Sequence, residues 1–212
     1  MTNLYLLRHG KVDGPPALYG HTDIKVIKEH DIELLAELLK VQNSFTHIVS
    51  SPLQRCSNLA KQFANASGLP LVINENLKEI DFGELDGSAF ETAKAHWPIL
   101  DKFWHNPAKN PLPAAENLND FNQRIRTTFK QLLANHKGAS PLVICHGGVI
   151  RMLLSIALEL NWTNPKLFSS LRIKNGTIST IIHHESSHFI EVDGINLPVS
   201  ACEFTNNNGG QK

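Results

Sequence analysis

Arginine and cysteine are both scarce in this chain. Its 212 residues include three cysteines (Cys56, Cys145 and Cys202) and six arginines (Arg8, Arg55, Arg124, Arg126, Arg151 and Arg172). An odd, scattered set of cysteines without C-x-x-C argues against a disulfide framework and suits reduced thiols. Net charge is missing as well: Lys+Arg and Asp+Glu both number 20, so nothing points to nucleic acid or an anionic membrane as partner. No apolar run approaches the roughly 18 residues of a membrane span. The opening MTNLYLLRHG has neither the basic region nor the apolar length of a signal peptide. These absences predict a cytoplasmic protein without membrane or nucleic-acid partners.

What is present is an alternation of strand and helix. NLYLL (3–7) is a short apolar run that stops at Arg8-His9-Gly10, as a buried strand meeting a loop would. Residues 28–42 carry Ile32, Leu35, Leu38 and Leu39 at helical spacing. THIVS (46–50) reads as a second strand, followed by a helix to about Ser67 that starts at Pro52 with Ser50 or Ser51 as cap. LVINENL (71–77) reads as a third strand, and Leu118 to Leu133 as a long amphipathic helix. PLVICH (141–146) is the most buried-looking strand, followed by a helix through Leu160, and 171–193 reads as two strands. The pattern predicts an α/β fold: a three-layer sandwich with a mostly parallel central sheet flanked by helices and an antiparallel edge strand or hairpin. Residues 1–204 are expected to form a single domain, 88–116 an inserted lid, and 205–212 a disordered tail.

His184-Glu185-Ser186-Ser187-His188 matches H-E-x-x-H, which on a helix offers two histidines to zinc. Here it lies between a β-forming run, Thr177–Ile182, and Phe189–Asp193, which alternates with period two. Glu185-Ser186-Ser187 then reads as a hairpin loop, where the two histidines lose the shared helical face. No metal and no cofactor is expected.

A distributed signal is stronger. The first strand ends in Arg8 and His9, the second leads to Arg55, and the 141–146 strand ends in His146 before Gly147-Gly148, where helix N–H groups can face a ligand. In doubly wound sheets ligands sit beyond the carboxyl ends of the strands. If these strands are neighbours, two arginines and two histidines surround one point, which suits a phosphoryl group of about −1.5 to −2 charge. A neutral imidazole could take that group covalently, and either histidine qualifies. Glu79, among apolar neighbours that favour the protonated acid, could donate to a leaving alkoxide.

Taken in order, Leu7-Arg8-His9-Gly10, Ser51-Pro52-Leu53-x-Arg55, Glu79-x-x-Phe82-Gly83 and His146-Gly147-Gly148 resemble the histidine phosphatase (phosphoglycerate-mutase-like) superfamily. The resemblance implies that His9 is the phosphohistidine nucleophile and Glu79 the proton donor and later base. It places Arg8, Arg55, His146 and Gly147 around the phosphate, His146 also serving catalysis, with metal-independent chemistry. Gly14–Asp23 and Ile80–Gly87 are most similar to the α-ribazole-5′-phosphate phosphatases of cobalamin synthesis, with Tyr19, Gly20 and Glu116 as candidate substrate contacts. The mutases' Asn six residues beyond the nucleophile is Pro15 here, and the 88–116 segment contains no arginine but carries Trp97, Phe103 and Trp104. The expected activity is hydrolysis of a small phosphomonoester. A broad-specificity sugar or nucleotide phosphatase, a phosphoglycerate mutase and a non-enzymatic phospholigand-binding protein remain open. Monomer and homodimer are equally compatible with the sequence.

One competing pattern is Cys145-x5-Arg151, the loop of cysteine-dependent phosphatases. No Ser or Thr follows Arg151, and that scheme leaves Arg8, His9, Arg55 and Glu79 without a role. A reactive thiol must also be exposed and pKa-shifted.

Overall fold

The computed structural model describes residues 1–202, and the tail expected at 205–212 lies outside the described residues. Six strands form one sheet in the order β3-β2-β4-β1-β5-β6: β1 (Thr2–Arg8), β2 (His47–Ser50), β3 (Leu71–Ile73), β4 (Pro141–Cys145), β5 (Ile178–His184) and β6 (Phe189–Leu197). The first four run parallel, while β5 and β6 are antiparallel and close one edge. The expected α/β sandwich is the architecture found.

Its three layers follow from β4. All five residues of PLVIC are buried, as a strand covered on both faces requires. Val143 and Cys145 pack on one side with α4 (Leu118–Asn135) and α5 (Gly147–Ala157), through Phe121, Ile125, Val149 and Leu153. Leu142 and Ile144 pack on the other with α1 (Lys28–Lys40) and α2 (Gln54–Ser67), through Leu34, Leu38, Leu59 and Phe63. The period of two along the strand thus feeds two separate apolar cores.

Register sets the functional edge. Arg8 of β1 lies opposite Cys145 of β4, and Ser50 of β2 opposite Ile144. The carboxyl ends of three adjacent strands therefore finish side by side, which is the neighbour relation that the convergence of Arg8, His9, Arg55 and His146 needs.

Several boundaries differ from the sequence reading. The third strand stops at Ile73, because Asn74 accepts the Asn76 N–H and opens a 3₁₀ turn at Glu75–Leu77. Helix α2 starts at Gln54, not Pro52, and neither serine caps it. Leu53 is extended, and the Gln54 N–H is met by Asp23 Oδ1 from a distant loop at 2.7 Å. Helix α5 ends at Ala157 and not Leu160. The first of the late strands begins only at Ile178, since 171–177 is loop and turn. In the 88–116 segment, α3 (Trp97–His105) rests on a small apolar cluster in which Leu100 meets Leu85, Leu112, Phe90 and Trp104. A short helix, α6 (Lys166–Ser169), follows α5.

The H-E-x-x-H histidines fall on the β5–β6 hairpin, His184 ending β5 and His188 lying in the turn with φ +55°. Glu185 instead staples the chain's start. Its Oε1 accepts from the Thr2 hydroxyl and the Gly138 N–H, both at 2.7 Å, and pairs with the N-terminal ammonium at 3.5 Å.

Candidate active site

At the carboxyl edge, β1 hands Arg8 and His9 to a loop pinned from the far side. Asn175 Nδ2 donates to the carbonyls of His9 and Gly10 at 3.1 Å, and the Gly176 N–H reaches Arg8 O at 3.0 Å. His9 Nδ1 lies 2.7 Å from Gly10 O. A carbonyl can only accept, so Nδ1 carries the proton and Nε2 keeps its lone pair. Burial, then the guanidinium charges of Arg55 and Arg8, hold the His9 pKa well below the usual imidazole value. The ring is therefore neutral, with its lone pair on Nε2.

Arg8 donates through Nη1 to Ile173 O at 2.5 Å. Its Nε–H is buried with no partner among the described residues, an orphan donor that calls for an anion. Burial lowers the Arg8 pKa somewhat.

Glu79 reaches the same place from the loop after β3. Its Oε2 accepts the Gly148 N–H at 2.9 Å and its Oε1 the Ile80 N–H at 3.1 Å. A Cβ on Gly148 would lie 2.3 Å from Oε1, so only glycine leaves the carboxylate room. Gly147 likewise leaves open a point that Arg8 Nε approaches at 3.3 Å.

Arg55 and His146 are brought close but not into the cleft. Arg55 is 1 % exposed and His146 fully buried. Arg55 Nε donates to His146 Nδ1 at 3.1 Å, Nη1 to Thr22 O at 2.9 Å, and Nη2 to Tyr19 O and Gly20 O at 3.1 and 2.5 Å. Because Arg Nε is a donor, His146 Nδ1 is unprotonated and its Nε2–H donates to Ser51 Oγ at 2.7 Å. Burial and Arg55 push the His146 pKa well below normal. Both ring nitrogens are occupied, and the ring stands behind His9 with centroids 5.3 Å apart. Most polar atoms of this pair are bonded to buried neighbours, which places the two side chains behind the cleft wall formed by Arg8 and His9.

Two of the three candidate substrate residues are engaged within the protein. Gly20 is buried under the loop, where a Cβ would come within 2.2 Å of Ile80 O. Glu116 turns to Arg124, which grips it through Nε and Nη2 at 2.9 and 2.7 Å. Tyr19 does line the cleft, its hydroxyl donating to Pro15 O at 2.7 Å.

Three positioning residues escaped the sequence reading. Arg124, besides Glu116, donates to the carbonyls of Asn76, Lys78 and Glu79 at 2.7, 2.9 and 3.4 Å, so it fastens the loop that presents Glu79. Asp86 accepts the N–H groups of Gly20, His21, Thr22 and Phe82 at 2.7–3.1 Å. Burial opposes its ionisation, but these bonds win and its pKa is lowered. Asn175 is the third. The pairing of Glu116 with Arg124 across the start of α4 was the one readable signal.

Two cavities meet at Glu79. A cleft of about 360 Å³ gathers Arg8, His9, Lys11 and Arg151, its wall completed by residues such as Pro15, Pro16 and Tyr19. An apolar one of about 370 Å³ is lined by Phe103, Trp104, Pro107, Leu118 and Phe168. Leu18, Glu79, Phe82 and Arg151 belong to both. Cys145 faces the core, and burial raises its pKa far above that of a free thiol. The thiolate alternative loses its nucleophile.

Comparison with known proteins fits this geometry. Residues 4–195 match the model of "Histidine phosphatase superfamily (branch 1)". The first curated relatives it matches are 31 % identical over 162 residues, and the chain spans 44 % of their length. A protein of Yersinia enterocolitica called "Probable phosphoglycerate mutase GpmB" is 28 % identical over 191 residues, covering 88 % of this chain and 87 % of that protein. Among solved structures, YhfR of Bacillus stearothermophilus superposes with a TM-score of 0.83 at 20 % identity, covering 96 % of this chain and all of that one. The α-ribazole phosphatase of Shigella flexneri gives 0.76 at 21 %, covering 92 % and 96 %.

Proposed function

The chain belongs to the histidine phosphatase superfamily, branch 1, and on that premise we propose that it hydrolyses small phosphomonoesters through a phosphohistidine on His9. The observation that carries the reading is the meeting of the two cavities at Glu79. One side is cationic and nucleophilic, the other apolar and aromatic, so a phosphoryl group and an apolar leaving group have separate places. His9 Nε2 attacks phosphorus as the ester P–O bond breaks. Glu79 gives its proton to the departing oxygen, then takes one from the water that hydrolyses the phosphohistidine. The orphan Arg8 Nε–H and the Gly147 end of α5 hold phosphoryl oxygens. Arg55 and His146 hold the wall behind them, and the neutral His146 keeps a second positive charge from forming beside His9.

An apolar cavity walled by Phe103 and Trp104 suits an aromatic leaving group, which favours α-ribazole 5′-phosphate as substrate. In this reading 88–116 acts as a lid on a single domain, and the reaction needs no metal. Steady-state hydrolysis of a panel of phosphomonoesters that includes α-ribazole 5′-phosphate tests the proposal, which expects that ester to give the highest kcat/KM. A flat profile across sugar and nucleotide phosphates would leave the apolar cavity without a role. Conversion of 3-phosphoglycerate to 2-phosphoglycerate would make the enzyme a mutase. Binding of phosphate with no turnover of any ester would make it a binding protein.

A further inference from the structure

Arg151 lies outside the four motifs of the superfamily, yet its guanidinium ends in the same cleft. It sits on α5 four residues beyond Gly147, one turn along the same face. Helical side chains lean toward the N-terminus, which carries this one back over Gly147. There its Nη1 comes within 3.4 Å of the point where a Gly147 Cβ would stand, and Arg8 Nε comes within 3.3 Å of the same point. Two guanidinium groups thus converge on the space that a side chain at Gly147 would fill. Arg151 Nε is held on Leu171 O at 2.7 Å, while its Nη atoms have no protein acceptor among the described residues. Glu79 is the carboxylate that faces both arginines, and it is already bonded to two backbone N–H groups. Two half-buried cations aimed at one gap repel unless an anion fills it.

We propose that Arg151 is a phosphate-binding residue, its Nη atoms gripping the phosphoryl group opposite Arg8 on the side from which the leaving group departs. The inference rests on reading the cleft as a phosphomonoester site. The position on the leaving-group side follows from Arg151 lining both cavities. A guanidinium there can bind two phosphoryl oxygens at once, which an ammonium cannot.

The competing view is that Arg151 only anchors the 171–173 turn, whose Ile173 carbonyl in turn holds Arg8. Calorimetric titration of the full chain with inorganic phosphate separates the two. Arg151→Met should weaken phosphate binding by about 10- to 100-fold, the loss of one or two charge-assisted hydrogen bonds, with KM for p-nitrophenyl phosphate rising in parallel. Arg151→Lys keeps the charge but not the fork and should recover only part of the affinity. Should Arg151→Met fail to fold, Arg151→Lys carries the test, with an expected loss of about 5-fold or more. Phosphate affinity within twofold of the parent in a folded variant would overturn the assignment and leave Arg151 an anchor. A parent chain that binds phosphate but hydrolyses no ester would defeat the phosphatase reading while the binding data still judge Arg151. A parent that binds no phosphate would defeat both.

Discussion

Replacing Gly148 by alanine puts one methyl group directly against the proposed acid. The new Cβ would lie 2.3 Å from Glu79 Oε1 and 3.0 Å from Cδ, where ordinary contact begins near 3.4 Å. The carboxylate must therefore retreat by about 1.1 Å, the difference between those distances. That retreat stretches the 2.9 Å bond from the Gly148 N–H to Oε2. Helix propensity acts the other way, since alanine in α5 is favoured over glycine by about 1 kcal/mol. The fold should hold while the chemistry suffers. A misplacement of about 1 Å at a reacting group costs on the order of 10²-fold, about 2.7 kcal/mol of barrier. The loss must depend on the leaving group, because p-nitrophenolate departs with little help from an acid and an alkoxide does not. We expect kcat/KM of Gly148→Ala to fall about 100-fold on glycerol phosphate and less than 10-fold on p-nitrophenyl phosphate, with an unchanged circular dichroism spectrum. Parent-like rates on both esters, or equal losses on both, would refute the placement of Glu79 as acid.

His9→Ala should abolish hydrolysis of p-nitrophenyl phosphate and the phosphoenzyme trapped in SDS at alkaline pH together, whereas EDTA should leave the parent rate unchanged; a labelled phosphoenzyme surviving in the variant would move the nucleophile elsewhere. Arg124→Met removes the clamp on Glu116 and on three loop carbonyls; it should cost on the order of 2 kcal/mol of stability in urea melts and slow alkyl phosphates more than p-nitrophenyl phosphate, and uniform slowing of both would make it a stability residue alone. Stability should also respond to acid, because His9 and His146 both have pKa values well below normal in the folded chain. Below about pH 6.5 the unfolded chain binds protons that the folded one refuses, so their contribution is complete above that pH and is lost as pH falls toward their folded values. The two together add a slope approaching 2.7 kcal/mol per pH unit there, and His9→Gln should remove about half of it; a variant slope equal to the parent's would mean that His9 charges freely in the fold.

Much of the fold was legible because the sheet's burial writes itself into residue type. PLVIC reads as a strand covered on both faces, and it is one. The helices α1 and α4 were found by spacing alone, since each packs one apolar stripe. The misses have local causes. LVINENL looks extended throughout, but Asn74 turns its side chain onto the Asn76 N–H and ends the strand after three residues. At α2, Ser50 and Ser51 are cap-forming residues in a cap-like place. Ser51 is instead taken by the buried His146 ring, and the cap comes from Asp23, which is 31 residues away in sequence. A local rule cannot see a donor's distant partner.

The site was legible in composition and not in direction. Strand ends fixed where Arg8, His9, Arg55 and His146 would gather, because register leaves them nowhere else to go. Which polar atoms then reach the cleft is a separate question. Arg8 ends β1 beside His9, whereas Arg55 lies in the first turn of α2, after β2, and meets His146 in space. One keeps an unmatched Nε–H toward the cleft, while the other bonds the carbonyls of Tyr19, Gly20 and Thr22. The difference arises from the 19–22 loop, whose N–H groups are gathered by Asp86 so that its carbonyls are turned toward Arg55. A carboxylate below and a guanidinium above thus fix a loop that carries Leu18 and Tyr19 into the cavities. Asp86 and Arg55 therefore shape the cleft through that loop. Asp86→Asn, which halves the acceptors offered to four N–H groups, should raise KM with little change in kcat. A fall in kcat alone, at unchanged KM, would show that the clamp serves the chemistry and not the shape of the pocket.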